Sequence, residues 1–204
     1  MKKFIHILAL TSLLVLTGCS STKSYKSTFG FSTEVKDDWF VVSKQTLKED
    51  PDLFQDKRFK RLRDEVAQTL KVIVPEGEVE VIFDVSPYTG ESGFSANINI
   101  APDEHIDFSK GSDKALCKGF KMGMSDRYGK DSPVRLRQCK FKKVGKTMTW
   151  ITQMDGFIEG VMSTGYAFNV GGGSAQITGT CDKSVCPSLI GDIETMIEEI
   201  ELED

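Results

Sequence analysis

Thr147-Met148-Thr149-Trp150-Ile151-Thr152-Gln153-Met154-Asp155-Gly156 decides the fold, together with the stretch beyond it: Ile158, Met162, Tyr166, Phe168 and Val170, then Gly171-Gly172-Gly173, then Ala175, Ile177 and Cys181. Aromatic, β-branched and other apolar residues recur at every second position between glycine-rich breaks, the period of a strand with one buried face. Asp155-Gly156 predicts a two-residue hairpin, because both central positions of the favoured turns accept a positive φ. The triple glycine predicts a second turn. Strands joined by such short turns must run antiparallel.

The same pattern continues outward. Val134 to Lys143 reads as a preceding strand, its apolar face switching between Leu136 and Cys139, which predicts a bulge. Val144-Gly145-Lys146 turns the chain. After the last strand, Cys186-Pro187 opens a helix with Leu189, Ile193, Met196, Ile197 and Ile200 facing inward and Glu194, Glu198 and Glu201 outward. Upstream, Val79, Val81, Phe83 and Val85 alternate with Glu80, Ile82 and Asp84, a half-buried strand, and Ser86 to Gly90 turns the chain. Phe94, Ala96, Ile98 and Ile100 then alternate with Ser95, Asn97 and Asn99 until Pro102. Asp113 to Asp126 reads as a helix, capped by Ser112 or Asp113, with Leu116, Phe120 and Met124 four apart. Gly119 and Gly123 each cost that helix about 1 kcal/mol relative to Ala.

Nearer the start, Phe59, Leu62, Val66, Leu70 and Ile73 predict one helix from about Asp52 to Val72, stopped by Pro75 and Gly77. Its other face carries Lys57, Arg58, Lys60, Arg61 and Arg63, a solvated face or a contact for lipid headgroups or an anionic partner. Thr28 to Thr33 and Trp39 to Ser43 read as two opening strands, and polar residues 20–27 as a tether. Helices interspersed among hairpins, without strict βαβ alternation, predict an α+β fold: helices packed on an antiparallel sheet.

Lys2 and Lys3 precede an apolar run from Phe4 to Leu16, about 13 residues against the roughly 20 that span a bilayer as a helix. A charged start and a short apolar core predict a secretory signal. Its ending, Leu16-Thr17-Gly18-Cys19, resembles the lipobox of bacterial lipoprotein precursors. That resemblance implies cleavage before an acylated Cys19, with residues 1–18 as signal, 19–27 as tether and 28–204 as one domain. It also implies a lipid bilayer as partner, since two or more acyl chains hold stably where one is marginal. Ser20 follows in place of the aspartate that retains such proteins at the inner membrane of enteric bacteria. The resemblance therefore implies an outer-membrane anchor facing the periplasm.

The chain carries a net charge of −4, and the leader takes two lysines away, so nucleic acid is not an expected partner. Besides Cys19 there are four cysteines: Cys117, Cys139, Cys181 and Cys186. An even number in an exported chain predicts two disulfides. Three connectivities are open, and the most local is Cys117–Cys139 with Cys181–Cys186. A four-thiolate zinc site is the rival, but no pair has the close Cys-x₂-Cys spacing, and Cys181-x₄-Cys186 only touches the upper limit.

No catalytic constellation is expected. Past the leader one histidine remains, His105, within Asp103-Glu104-His105-Ile106-Asp107, and no Gly-x-Ser-x-Gly elbow occurs. Asp103, Glu104, His105 and Asp107, with Asp84, are conceivable metal ligands, yet they lack the spacing and central glycine of an EF-hand loop. Gly171-Gly172-Gly173 lacks the Lys-Ser/Thr of a phosphate loop. Cys181-x₄-Cys186 before a helix is not a Cys-x-x-Cys redox motif. No cofactor is expected.

The element order is similar to that of the PsbP-like group, which includes an extrinsic subunit of photosystem II, a Ran-binding nuclear transport factor and periplasmic lipoproteins of the DcrB type. The resemblance is carried by Phe29-Gly30-Phe31 with Asp38-Trp39, by the strand from Phe94 to Ile100, and by Ala175-Gln176-Ile177-Thr178-Gly179-Thr180-Cys181 leading into a helix. It implies a PsbP-like α+β fold without a shared chemistry. The expectation is a non-enzymatic, anchored envelope module that binds a protein partner. The alternative is a lipoprotein that binds a small molecule or metal ion between sheet and helices.

Overall fold

The alternating stretch forms an antiparallel meander. The computed structural model describes residues 21–62, 64–83, 94–103, 106–108, 113–129 and 131–203. The meander is β6 (Arg135–Val144), β7 (Thr147–Asp155), β8 (Val161–Val170) and β9 (Gly173–Asp182). It is extended by β5 (Asn97–Asp103), β4 (Glu80–Phe83) and β3 (Phe40–Val42) into a seven-stranded sheet of order β3-β4-β5-β9-β8-β7-β6. A second sheet has β2 (Phe31–Lys36) between β1 (Thr22–Ser27) and β10 (Glu201–Leu202). Every described pairing is antiparallel.

One face of the large sheet holds the main core. Ile82, Ile98, Ile100, Ile151, Tyr166, Phe168 and Ile177 pack under the helix α4 (Cys186–Glu198), which contributes Leu189, Ile193 and Ile197. The small sheet adds Phe31 and Val35, with Trp39 beside them. Helix and strand approach so closely that a Cβ on Gly179 would lie 2.4 Å from Ile193 Cδ1. At one end of the opposite face, α1 (Lys44–Glu49), α2 (Asp64–Glu76) and two 3-10 turns cover Val42, Val81 and Phe83. At its other end lies α3 (Asp113–Tyr128).

The expected bulge is present: Leu136 pairs with Met154 and Gln138 with Gln153, leaving Arg137 out of register. The triple glycine is a hairpin turn, with Val170 opposite Gly173. Other expectations require correction. Residues 22–27 are not a tether but the strand β1, with Tyr25 and Ser27 buried, so the domain starts before residue 28. Buried partners on the large sheet override a polar composition.

The single helix from Asp52 to Val72 is broken into 3-10 turns at Leu53–Gln55 and Phe59–Arg61 before α2 begins at Asp64. The Asp56 carboxylate accepts from the Arg58 backbone N–H at 2.7 Å, an Asx turn that competes with helical bonding. Asp155-Gly156 is not a two-residue hairpin: β7 ends at Asp155 and β8 starts at Val161, and Ile158 sits exposed in the intervening loop. Pro102 does not end its strand. It pairs with Ala175 on one side, at a point beyond the reach of β4 on the other, where a missing N–H costs nothing.

Candidate functional site

The face shared by the flanking helices has a polar middle strip. Asn97 and Asn99 of β5, Gln176, Thr178 and Thr180 of β9, and Ser163 of β8 lie along it, all half-buried. They bond to one another: Asn99 to Asn97, Gln176 to Thr178, and Ser163 with Thr180.

Where this strip meets α3 the surface is concave. The helix carries no fully buried described side chain, and Leu116, Cys117, Phe120 and Met124 are half-buried. It is attached at discrete points. Cys117 is disulfide-bonded to Cys139 of β6, with Cα atoms 5.7 Å apart. Phe120 meets Trp150 edge to face at 5.3 Å, and Tyr128 meets Phe157 at 5.4 Å. Between these points the helix bridges a cleft of about 430 Å³, within the size range of small-molecule sites.

The floor of the cleft is Trp150, Thr152 and Met154 from β7, Gly165 and Ala167 from β8, and Gln176 from β9. The roof is Phe120, Gly123, Met124, Arg127 and Tyr128, with Asp103 at one end. Thr152 is only 6% exposed. Among the described residues its hydroxyl has no side-chain hydrogen-bond partner. At Gly123 a Cβ would meet nothing within 4 Å, so the roof is open there.

Glu80 and Asp155, two of the buried carboxylates among the described residues, lie elsewhere and hold the fold. Glu80 accepts hydrogen bonds from Tyr25 Oη (2.6 Å), Ser27 Oγ (2.7 Å), Thr28 N–H (2.7 Å) and Thr28 Oγ1 (2.8 Å). Burial, then the charge of Glu80, pushes the Tyr25 phenol far above its ordinary pKa. Asp155 lies 2.9 Å from Arg137 Nε and 2.8 Å from Lys183 Nζ. The hydrogen bond from Arg137, then that from Lys183, holds its carboxyl below the usual range.

Cys181 and Cys186 form the second disulfide, joining the end of β9 to the first residue of α4. The observed pairing is the most local of the three connectivities. Arg58 is paired with Asp56 and its guanidinium lies 4.0 Å from the Phe40 ring centroid, whereas Lys57 and Lys60 are exposed. Cys19, Asp84, Glu104 and His105 lie outside the described residues. Among the described residues, no three His, Cys, Asp or Glu side chains gather as a metal-ligand set.

The cleft is not among the sites that the sequence pattern marks out. Met148, Trp150, Thr152 and Met154 share one face of their strand, and that face points away from the main core, toward α3. Gly119 and Gly123 are the available signal, two costly residues in a helix.

No family model matches the chain, and no curated protein sequence does. Among solved structures, the chain is similar to cyanobacterial PsbP (CyanoP) from Synechocystis sp. PCC 6803, with a TM-score of 0.54 and 10% identity over 94% of this chain and 98% of that one. The fold is PsbP-like. At that identity the likeness concerns the fold alone. A lower similarity is found to the immunity protein TplEi of the T6SS from Pseudomonas aeruginosa, solved in complex with an "L" peptide: TM-score 0.46, 8% identity, 89% of this chain and 98% of that one.

Proposed function

We propose that the protein is a non-enzymatic interaction module of the bacterial cell envelope, anchored through an acylated Cys19 to the outer membrane and facing the periplasm. The observation that carries this reading is Leu16-Thr17-Gly18-Cys19 closing a short apolar run behind Lys2 and Lys3. The two disulfides support it, because such bonds persist in oxidising compartments. The start of β1 at Thr22 sharpens it. The few residues between Cys19 and the fold reach at most about 3.6 Å each, so the domain would work close against the bilayer.

Fractionation of cells carrying wild type or Cys19→Ala tests the anchor: the wild type is expected in the detergent phase and the variant in the soluble fraction. A variant that stays fully membrane-associated would overturn it. Crosslinking in intact cells with mass-spectrometric identification tests the partner, and recovery of no envelope protein would count against an interaction module.

A second reading is a lipoprotein that binds a small molecule between sheet and helix. The cleft beneath α3 favours it.

A further inference from the structure

We propose that the cleft beneath α3 binds a small aromatic organic acid, its ring body between Trp150 and Met124 and its anionic group at Arg127. The inference rests on the small-molecule reading and names the ligand class for it.

Shape comes first. The empty protein gains nothing sterically from Gly123, where a Cβ would touch no atom within 4 Å, yet a glycine inside a helix costs about 1 kcal/mol relative to Ala. A glycine returns that cost where a ligand approaches the backbone closely.

The chemistry of the lining then selects the ligand. Trp150 and Phe120, edge to face at 5.3 Å, present aromatic surface suited to another ring. Met124 and Met154 complete an apolar wall from unbranched side chains that adapt to irregular shapes. Thr152, a largely buried residue of the cleft floor, supplies a hydroxyl without a side-chain partner among the described residues. A ligand heteroatom would satisfy it.

Charge is decided at the mouth. Arg127 lines the cleft and is exposed, its guanidinium 5.7 Å from the Tyr128 ring centroid, with no carboxylate partner among the described residues. Asp103, the carboxylate at the end of the lining, already interacts within the fold. The cation free to recruit a counter-charge is therefore Arg127, and the ligand is an anion.

The test uses two probes with the same rings, 8-anilinonaphthalene-1-sulfonate and its neutral counterpart N-phenyl-1-naphthylamine. Quenching of tryptophan emission reports binding, because one of the two tryptophans of the chain, Trp150, lines the cleft, while Trp39 is buried in the core. The wild type is expected to bind the sulfonate saturably, one per chain, and at least tenfold more tightly than the neutral probe. Gly123→Leu, whose Cβ meets nothing within 4 Å, extends a side chain into the opening and is expected to abolish binding of both probes at a melting temperature no lower than that of the wild type. Arg127→Gln is expected to weaken the sulfonate about tenfold and leave the neutral probe unchanged. Equal affinity for both probes, or an Arg127→Gln variant indistinguishable from wild type, overturns the acid and leaves a small-molecule site standing. Binding of neither probe, or undiminished binding in a folded Gly123→Leu, overturns the site and with it the small-molecule reading.

Discussion

Tyr25 donates its phenol to the Glu80 carboxylate at 2.6 Å across a sequence separation of 55, tying the first strand of the small sheet to the large one. Ser27 and Thr28 fill the remaining acceptor positions, so the buried charge of Glu80 is held by four donors from one end of β1. A buried carboxylate is tolerable only with such compensation.

This relationship makes residues 22–27 part of the folding unit. Tyr25→Phe removes one charge-assisted hydrogen bond and is expected to cost about 1.5–3 kcal/mol. Glu80→Ala leaves several buried donors unmatched and is expected to cost more than about 3 kcal/mol. Urea denaturation of the two variants checks both values. Unaltered midpoints would mean that β1 contributes nothing and serves as a tether after all.

The two disulfides have different duties. Cys117–Cys139 closes 22 residues and Cys181–Cys186 only 5. On the chain-entropy view these are worth about 3 and 2 kcal/mol. Because α3 has no fully buried described side chain, losing the first bond is expected to release the helix locally. In the Cys117→Ala/Cys139→Ala double variant, hydrogen exchange over residues 113–128 is expected to become fast while β8 and β9 stay protected. Uniform acceleration across the large sheet would show that this bond supports the whole core.

The legible part of the sequence is the part whose signals are local. The meander and the inward face of α4 are legible because in β9 and α4 the buried residues recur on one face, and the bulge shows as a switch of the apolar face around Arg137. The 22–27 strand is not legible, because Lys23, Ser24 and Lys26 hide one buried tyrosine whose partner is 55 residues away. The 52–72 stretch misleads for the opposite reason: its 3–4 spacing is real, but the Asp56 side chain captures the Arg58 N–H and interrupts it. The cleft is half legible. Its glycines stand out in the sequence, whereas the strand face beneath them looks like core until α3 is seen to bridge it.

Asp155 links stability to acid. Its carboxyl is held below the usual range by Arg137 and then Lys183, so the folded state binds its proton less readily than the unfolded chain. Its contribution is therefore complete above the unfolded value, near pH 3.9, and is lost as pH falls through the lower folded value. Asp155→Asn is expected to lower the urea midpoint at pH 6 and to flatten the fall in stability below pH 4. An acid limb as steep in the variant as in wild type would assign acid sensitivity to other carboxylates.

Gly156 and Gly119 should respond in opposite directions to the same substitution. Gly156 has φ +96°, and a Cβ there would lie 2.1 Å from the Pro133 carbonyl oxygen, well inside any real contact. The loop between β7 and β8 needs both the left-handed backbone and the missing side chain, so Gly156→Ala must displace residues 133 and 134 or the loop itself. Its cost is expected to exceed about 2 kcal/mol, that of a strained left-handed residue together with a displaced neighbour. Gly119 lies within α3, and a Cβ there meets nothing within 4 Å. Gly119→Ala is expected to gain about 1 kcal/mol through helix propensity alone. Thermal unfolding of the pair decides the matter. If Gly119→Ala also destabilises, α3 is held by a close contact at that position, and the open cleft beside it would have to be redrawn.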